Sequence, residues 1–180
     1  MKRALMVLVV AAVAVGLVAS PASAQTKTRK DKVGDAAASF DLRSAVVSNR
    51  DNAIVVKTRF TKVTKRRTAV YSYLTPRGTK YDQGYVVDSY PISKGRYRTV
   101  LFKLDGKDST VVPCSGVRST WKKGARGLAR VVVPQSCLGD DAGTLEVWPV
   151  VYDNRDVTDS GGRAAKRVDT LKHLVTVKRG

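Results

Sequence analysis

The chain of 180 residues contains one histidine, two cysteines and a single glutamate, Glu146. Most metal and nucleophile chemistries are hard to assemble from so few groups. A glycosidase needs two carboxylates across the scissile bond, and pairing Glu146 with any one aspartate would be arbitrary. His173 stands four residues from Asp169; on a strand the two would share a face but lie far apart along it, which does not make a Ser-His-Asp triad. No Walker-type loop, HExxH or GxSxG motif occurs. Acids are scarce against bases: 15 Asp+Glu and 33 Lys+Arg give +18. Beyond residue 24 no segment holds a helical stripe for three turns, and none is apolar enough to span a bilayer.

What is present begins with a leader. Lys2 and Arg3 precede the uncharged stretch Ala4–Val18, and Ala22-Ser23-Ala24 supplies an A-x-A ending. This is the pattern of a secretory signal peptide over residues 1–24, cleaved after Ala24. A membrane span takes about 20 apolar residues; Pro21 and the polar run from Gln25 stop this one short. Cleavage leaves 156 of the 180 residues, enough for one domain with a core and tight for two. Secretion places Cys114 and Cys137 in an oxidising compartment, where a disulfide is expected. Each follows a valine-rich run and a proline, so the bridge would clip two strand ends and stabilise by roughly 3 kcal/mol. A redox pair would need closer spacing.

The composition, 43% hydrophobic and 27% charged, is that of a globular domain. Residues 25–32 read as a basic, flexible arm. From Phe40 the period is two: Ile54, Val56, Thr58 and Phe60 fall on one face, Lys57, Arg59 and Thr61 on the other. Asn49-Arg50-Asp51-Asn52 joins this run to Leu42–Val47 as a hairpin. Further strands are predicted at Val70–Leu74, Tyr85–Val87, Val100–Leu104, Val111–Cys114, Ala129–Val133 and Leu145–Tyr152, with a weak last one over Leu171–Val177. Trp121 falls in a basic loop. The prediction is an all-β fold, an antiparallel two-sheet sandwich of immunoglobulin-like or jelly-roll-like type spanning 33–178, with an eight-stranded barrel as the competing geometry.

The stretch Val33-Gly34-Asp35-Ala36-Ala37-Ala38-Ser39-Phe40-Asp41-Leu42, followed by Val46-Val47 and Ile54-Val55-Val56, resembles the opening of DOMON-like and family 9 carbohydrate-binding-module sandwiches. The segments Pro113-Cys114-Ser115-Gly116, Trp121 and Val131 to Leu138 are similar to a run in secreted actinobacterial proteins to which no role is assigned. The first resemblance implies a sandwich used for binding, with a structural calcium held by early aspartates, of which Asp35 and Asp41 match here. Its sugar clamp of facing aromatic rings has no counterpart that spacing reveals. Asp156 to Gly161 has oxygens at alternate positions like an EF-hand loop, but Arg167 stands where the bidentate Glu belongs, which excludes that motif.

Positive charge is the strongest functional signal. Lys57, Arg59 and Lys62 with Lys65-Arg66-Arg67 form one cluster, and Arg118, Lys122, Lys123, Arg126 and Arg130 form a second around Trp121. A row of cations on the solvated side of a strand raises local anion concentration in a salt-dependent way. Export and the lack of an RNA-recognition signature count against nucleic acid. The expectation is a secreted, non-enzymatic binding module with a basic face for an anionic cell-wall polymer or surface glycan, Trp121 and Tyr97 supplying aromatic contact. The alternative is a structural or interaction domain docking an acidic protein partner. A hydrolase of unrecognised type is a distant third.

Overall fold

The computed structural model describes residues 24–93, 95–139, 143–156 and 167–180. The leader, save Ala24, and most of the Asp156–Gly161 run lie outside these. Two antiparallel sheets pack face to face. Sheet A has the order β1 (Gln25–Lys30), β2 (Leu42–Asn49), β3 (Ala53–Phe60), β11 (Leu128–Pro134), β9 (Arg118–Lys122). Sheet C runs β13 (Arg167–Thr170), β12 (Thr144–Asp153), β5 (Thr68–Pro76), β6 (Tyr85–Pro91), β7 (Tyr97–Asp105), β8 (Asp108–Val111), and β14 (Val175–Lys178) pairs with the other end of β12. A two-stranded ribbon pairs β4 (Lys62–Val63) with β10 (Gly124–Ala125). The chain is therefore the expected all-β sandwich, with separate sheets rather than a closed barrel. No helix among the described residues is long and apolar enough to cross a membrane.

Alternation builds the core. Ala45, Val47, Ile54, Val56, Ala129, Val131 and Val133 of sheet A meet Val70, Leu74, Val87, Leu101, Leu145, Val147 and Val151 of sheet C, all buried. Each fully buried Val, Leu or Ile side chain among them contributes roughly 1.5–3 kcal/mol. The β7–β8 hairpin turns at Asp105-Gly106, where glycine accepts a φ of 59°. The two sheets are also tied by polar and covalent links. Ser119 Oγ on β9 meets Ser89 Oγ of β6 and the Thr99 hydroxyl of β7, both at 2.8 Å. Cys114, after β8, is bonded to Cys137, in the 3₁₀ turn after β11, with Cα atoms 5.9 Å apart.

Three local expectations are corrected. Residues 25–30 are not a loose arm but the edge strand β1, paired residue for residue with β2 from Gln25↔Asn49 to Lys30↔Ser44. Backbone pairing needs no apolar side chains, and the Thr26 and Ser48 hydroxyls meet at 2.8 Å. Trp121 lies on β9, not in a loop; β9 pairs with β11 and turns its indole toward the interior. The weak last strand is two, β13 and β14, with His173 exposed at the bend between them.

Candidate functional site

Opposed residues in an antiparallel ladder share a face. The ladder registers therefore set three outward rows across sheet A: Thr26, Ser48, Val55, Val132, Arg118; then Thr28, Val46, Lys57, Arg130, Thr120; then Lys30, Ser44, Arg59, Leu128, Lys122. Six of these residues are Lys or Arg and none is an acid. Lys57 stands directly opposite Arg130. The two clusters separated in sequence by some fifty residues thus meet on one face, because β3 and β9 flank β11.

Not every expected cation belongs to it. Lys62 is exposed on β4 opposite Ala125, and Lys65 and Arg66 are exposed in the turn that follows. Arg67 is committed elsewhere. Its Nη2 and Nε donate to Asp153 Oδ2 at 2.6 and 3.1 Å, and its guanidinium lies over the Phe40 ring at 5.1 Å. Burial would push the Asp153 carboxyl up, but hydrogen bonds from Arg67 and Arg155 outweigh it and hold the group at about 2. Lys123 donates to the Gly95 carbonyl at 2.8 Å and sits 5.7 Å from the Tyr97 ring centroid. Arg126 occupies the turn from β10 to β11 with φ at 50°. Lys30 and Arg43 were missed as site residues. The alternation Thr26, Thr28, Lys30 was the available signal for the first, while a register shift between Leu42 and Ser44 hid the second.

The expected aromatic contacts are turned inward. Tyr97 stacks on Trp121 at 4.3 Å between ring centroids, and Phe60 lies at 6.0 Å on a nearly parallel plane. Trp121 Nε1 donates to Ser89 Oγ at 3.0 Å. With stacking partners in Tyr97 and Phe60, the indole closes the core edge instead of offering a sugar platform. Burial pushes the Tyr97 hydroxyl up. A different aromatic run lies on the outward side of sheet C. Tyr73 stacks on Trp148 at 5.9 Å, Tyr81 leans on Trp148 at 6.0 Å, and Tyr71 meets Tyr73 edge-on at 5.5 Å.

The two aspartates expected to share a metal are separated in role. Asp41 is buried and accepts hydrogen bonds from the Gly34 N–H at 3.0 Å and the Thr61 hydroxyl at 2.6 Å, which fastens the loop before β2. Asp35 instead groups with Asp31 and Asp169, their nearest carboxylate oxygens all within 4.8 Å of one another. Burial pushes Asp169 up to about 6, against the hydrogen bonds from the Leu42 and Thr170 N–H groups. These three carboxylates could hold a cation, though calcium takes six to eight oxygens. Comparison of the chain with protein-family models, with curated proteins and with solved structures returns no match.

Proposed function

We propose that the mature protein is a secreted, non-enzymatic module that binds an anionic polymer of the cell wall or cell surface through the outward face of sheet A. The observation that carries this reading is the run of six cations over three adjoining rows without an intervening acid. Like charges facing each other across a ladder cost stability, so the Lys57–Arg130 pair is a standing expense of the fold that a bound polyanion removes. Neighbouring strands lie about 4.8 Å apart and same-side residues about 6.8 Å apart along a strand. A flexible chain of regularly spaced anionic groups can follow such a lattice.

If each of the six cations displaces one counterion, log affinity falls against log salt with a slope of roughly −4 to −5. The test is retention of the mature protein on isolated cell wall and on soluble poly(glycerol phosphate) over a salt series. Lys57→Gln with Arg130→Gln is expected to reduce the slope by about 1.5 and weaken retention. Retention indifferent to both salt and this variant would sink the proposal. Cross-linking to an acidic secreted protein, without wall retention, would favour the interaction-domain alternative. A second reading, glycan stacking on Tyr73, Tyr81 and Trp148, is supported by the exposure of Tyr81 (42%) and by the ring contacts that gather the three on one side of sheet C. It predicts salt-insensitive binding of neutral glycans.

A further inference from the structure

At the edge of the cationic face, a cavity of about 400 Å³ opens beside the end of β1. Lys30, Arg43, Arg59 and Arg126 line it, with Asp31 as the single acid on its wall and Phe60 and Gly127 also contributing. The four cations come from four different places: the last residue of β1, the register shift in β2, the outward row of β3 and the turn before β11. No two are neighbours in sequence, so their convergence is not a by-product of one basic run.

The turn that carries Arg126 is held firmly. Its N–H donates to the Thr61 carbonyl at 2.9 Å, and the Gly127 carbonyl accepts from the Phe60 N–H at 3.0 Å. Gly127 is packed so tightly that a Cβ there would come within 2.3 Å of Val63 Cγ2. Among the described residues Arg126 is the one non-glycine residue at positive φ. An arginine where glycine would be unstrained is a conformational cost, and such costs gather at binding sites.

We propose that this cavity binds a phosphate group, the charged unit of the polymer that the sheet face is proposed to hold. The inference rests on that reading for the identity of the polymer, whereas phosphate capture stands on the cavity itself. Three of the four cations are arginines, whose planar forks each pair two oxygens of an oxyanion. A carboxylate sets its two oxygens in one plane and satisfies one fork; a phosphodiester also has two free oxygens, but its four oxygens stand tetrahedrally, so forks can approach it from more than one side. Asp31 does not reverse the balance, because it stands as one acid against four cations on the same wall.

The experiment is titration of the isotope-labelled mature protein with inorganic phosphate, with acetate at matched ionic strength as control. Arginine side-chain signals of Arg43, Arg59 and Arg126 are expected to move with phosphate and not with acetate. Arg126→Gly is expected to weaken phosphate binding at least tenfold while melting no lower than wild type, because glycine suits the backbone there. Shifts that spare these arginines, or binding unchanged in Arg126→Gly, would overturn the site. Lys57→Gln with Arg130→Gln should leave phosphate shifts intact while lowering the salt slope on poly(glycerol phosphate), so the cavity and the face can fail separately. Sedimentation with phosphatidylglycerol vesicles as strong as retention on the polymer would overturn the polymer as the source of the phosphate.

Discussion

Asp88 offers a direct test of how burial is balanced in this sandwich. It lies on the outward side of sheet C, opposite Tyr71 on β5 and Val100 on β7, and is 6% exposed. The Tyr152 hydroxyl donates to its two oxygens at 2.9 and 3.1 Å. Burial pushes the carboxyl up to about 7, against the hydrogen bonds from Tyr152 and the Ser89 N–H. The ordinary value is 3.8. A displacement of about three units corresponds to a charged form disfavoured by on the order of 4 kcal/mol. The folded state holds this proton more tightly than the unfolded chain. Its contribution is therefore complete below pH 4 and is lost as the pH rises through about 7. Asp88→Asn keeps the shape and an acceptor for Tyr152 while removing the charge. Urea unfolding of both proteins at intervals from pH 4 to 8, followed by tryptophan fluorescence, gives the difference directly. The variant should match the wild type near pH 4 and exceed it by several kcal/mol, about 2–4, at pH 8. Asp169, raised to about 6, has the same sign but is present in both proteins and cancels in the difference. Parallel profiles, or a variant less stable at pH 8, would refute the argument.

Two further outcomes follow from the packing. Replacing Cys114 and Cys137 together by serine removes a link closing a loop of 23 residues' separation, and should lower stability by roughly 3 kcal/mol in denaturant melts under oxidising conditions. An unchanged midpoint would mean the bridge adds nothing to the sheet contacts. Trp121→Ala should cost about 3–5 kcal/mol, because it opens a gap between Phe60 and Tyr97 and leaves Ser89 without the indole donor. A loss near zero would place the indole outside the core edge.

Strand pairing was legible wherever one face had to be apolar. Ile54, Val56 and Phe60 alternate because burial selects every second residue, and the same rule marked β5, β7, β11 and β12. It failed where a strand is held by backbone pairing and polar side chains instead of apolar ones. Residues 25–30 carry no apolar alternation, yet β2 offers them an open edge and they pair with it. The lysines after Trp121 look like a loop, but the ladder to β11 places Lys122 on the outward side of a strand, and Lys123 follows that strand and donates to the Gly95 carbonyl. Arg67 looked like any other member of a basic run until Asp153, 86 residues away, took its guanidinium.

From the amino-acid order alone came the sandwich class, the cysteine pairing and the two concentrations of positive charge, since each depends on residue type and short-range period. Folding decided which cations act together. A ladder register is a relation between distant segments, and only the placement of β11 between β3 and β9 sets Lys57 against Arg130 and leaves Arg126 beside Lys30, Arg43 and Arg59. Charge repels along the chain whatever the fold; whether it gathers into a site depends on which strand ends up next to which.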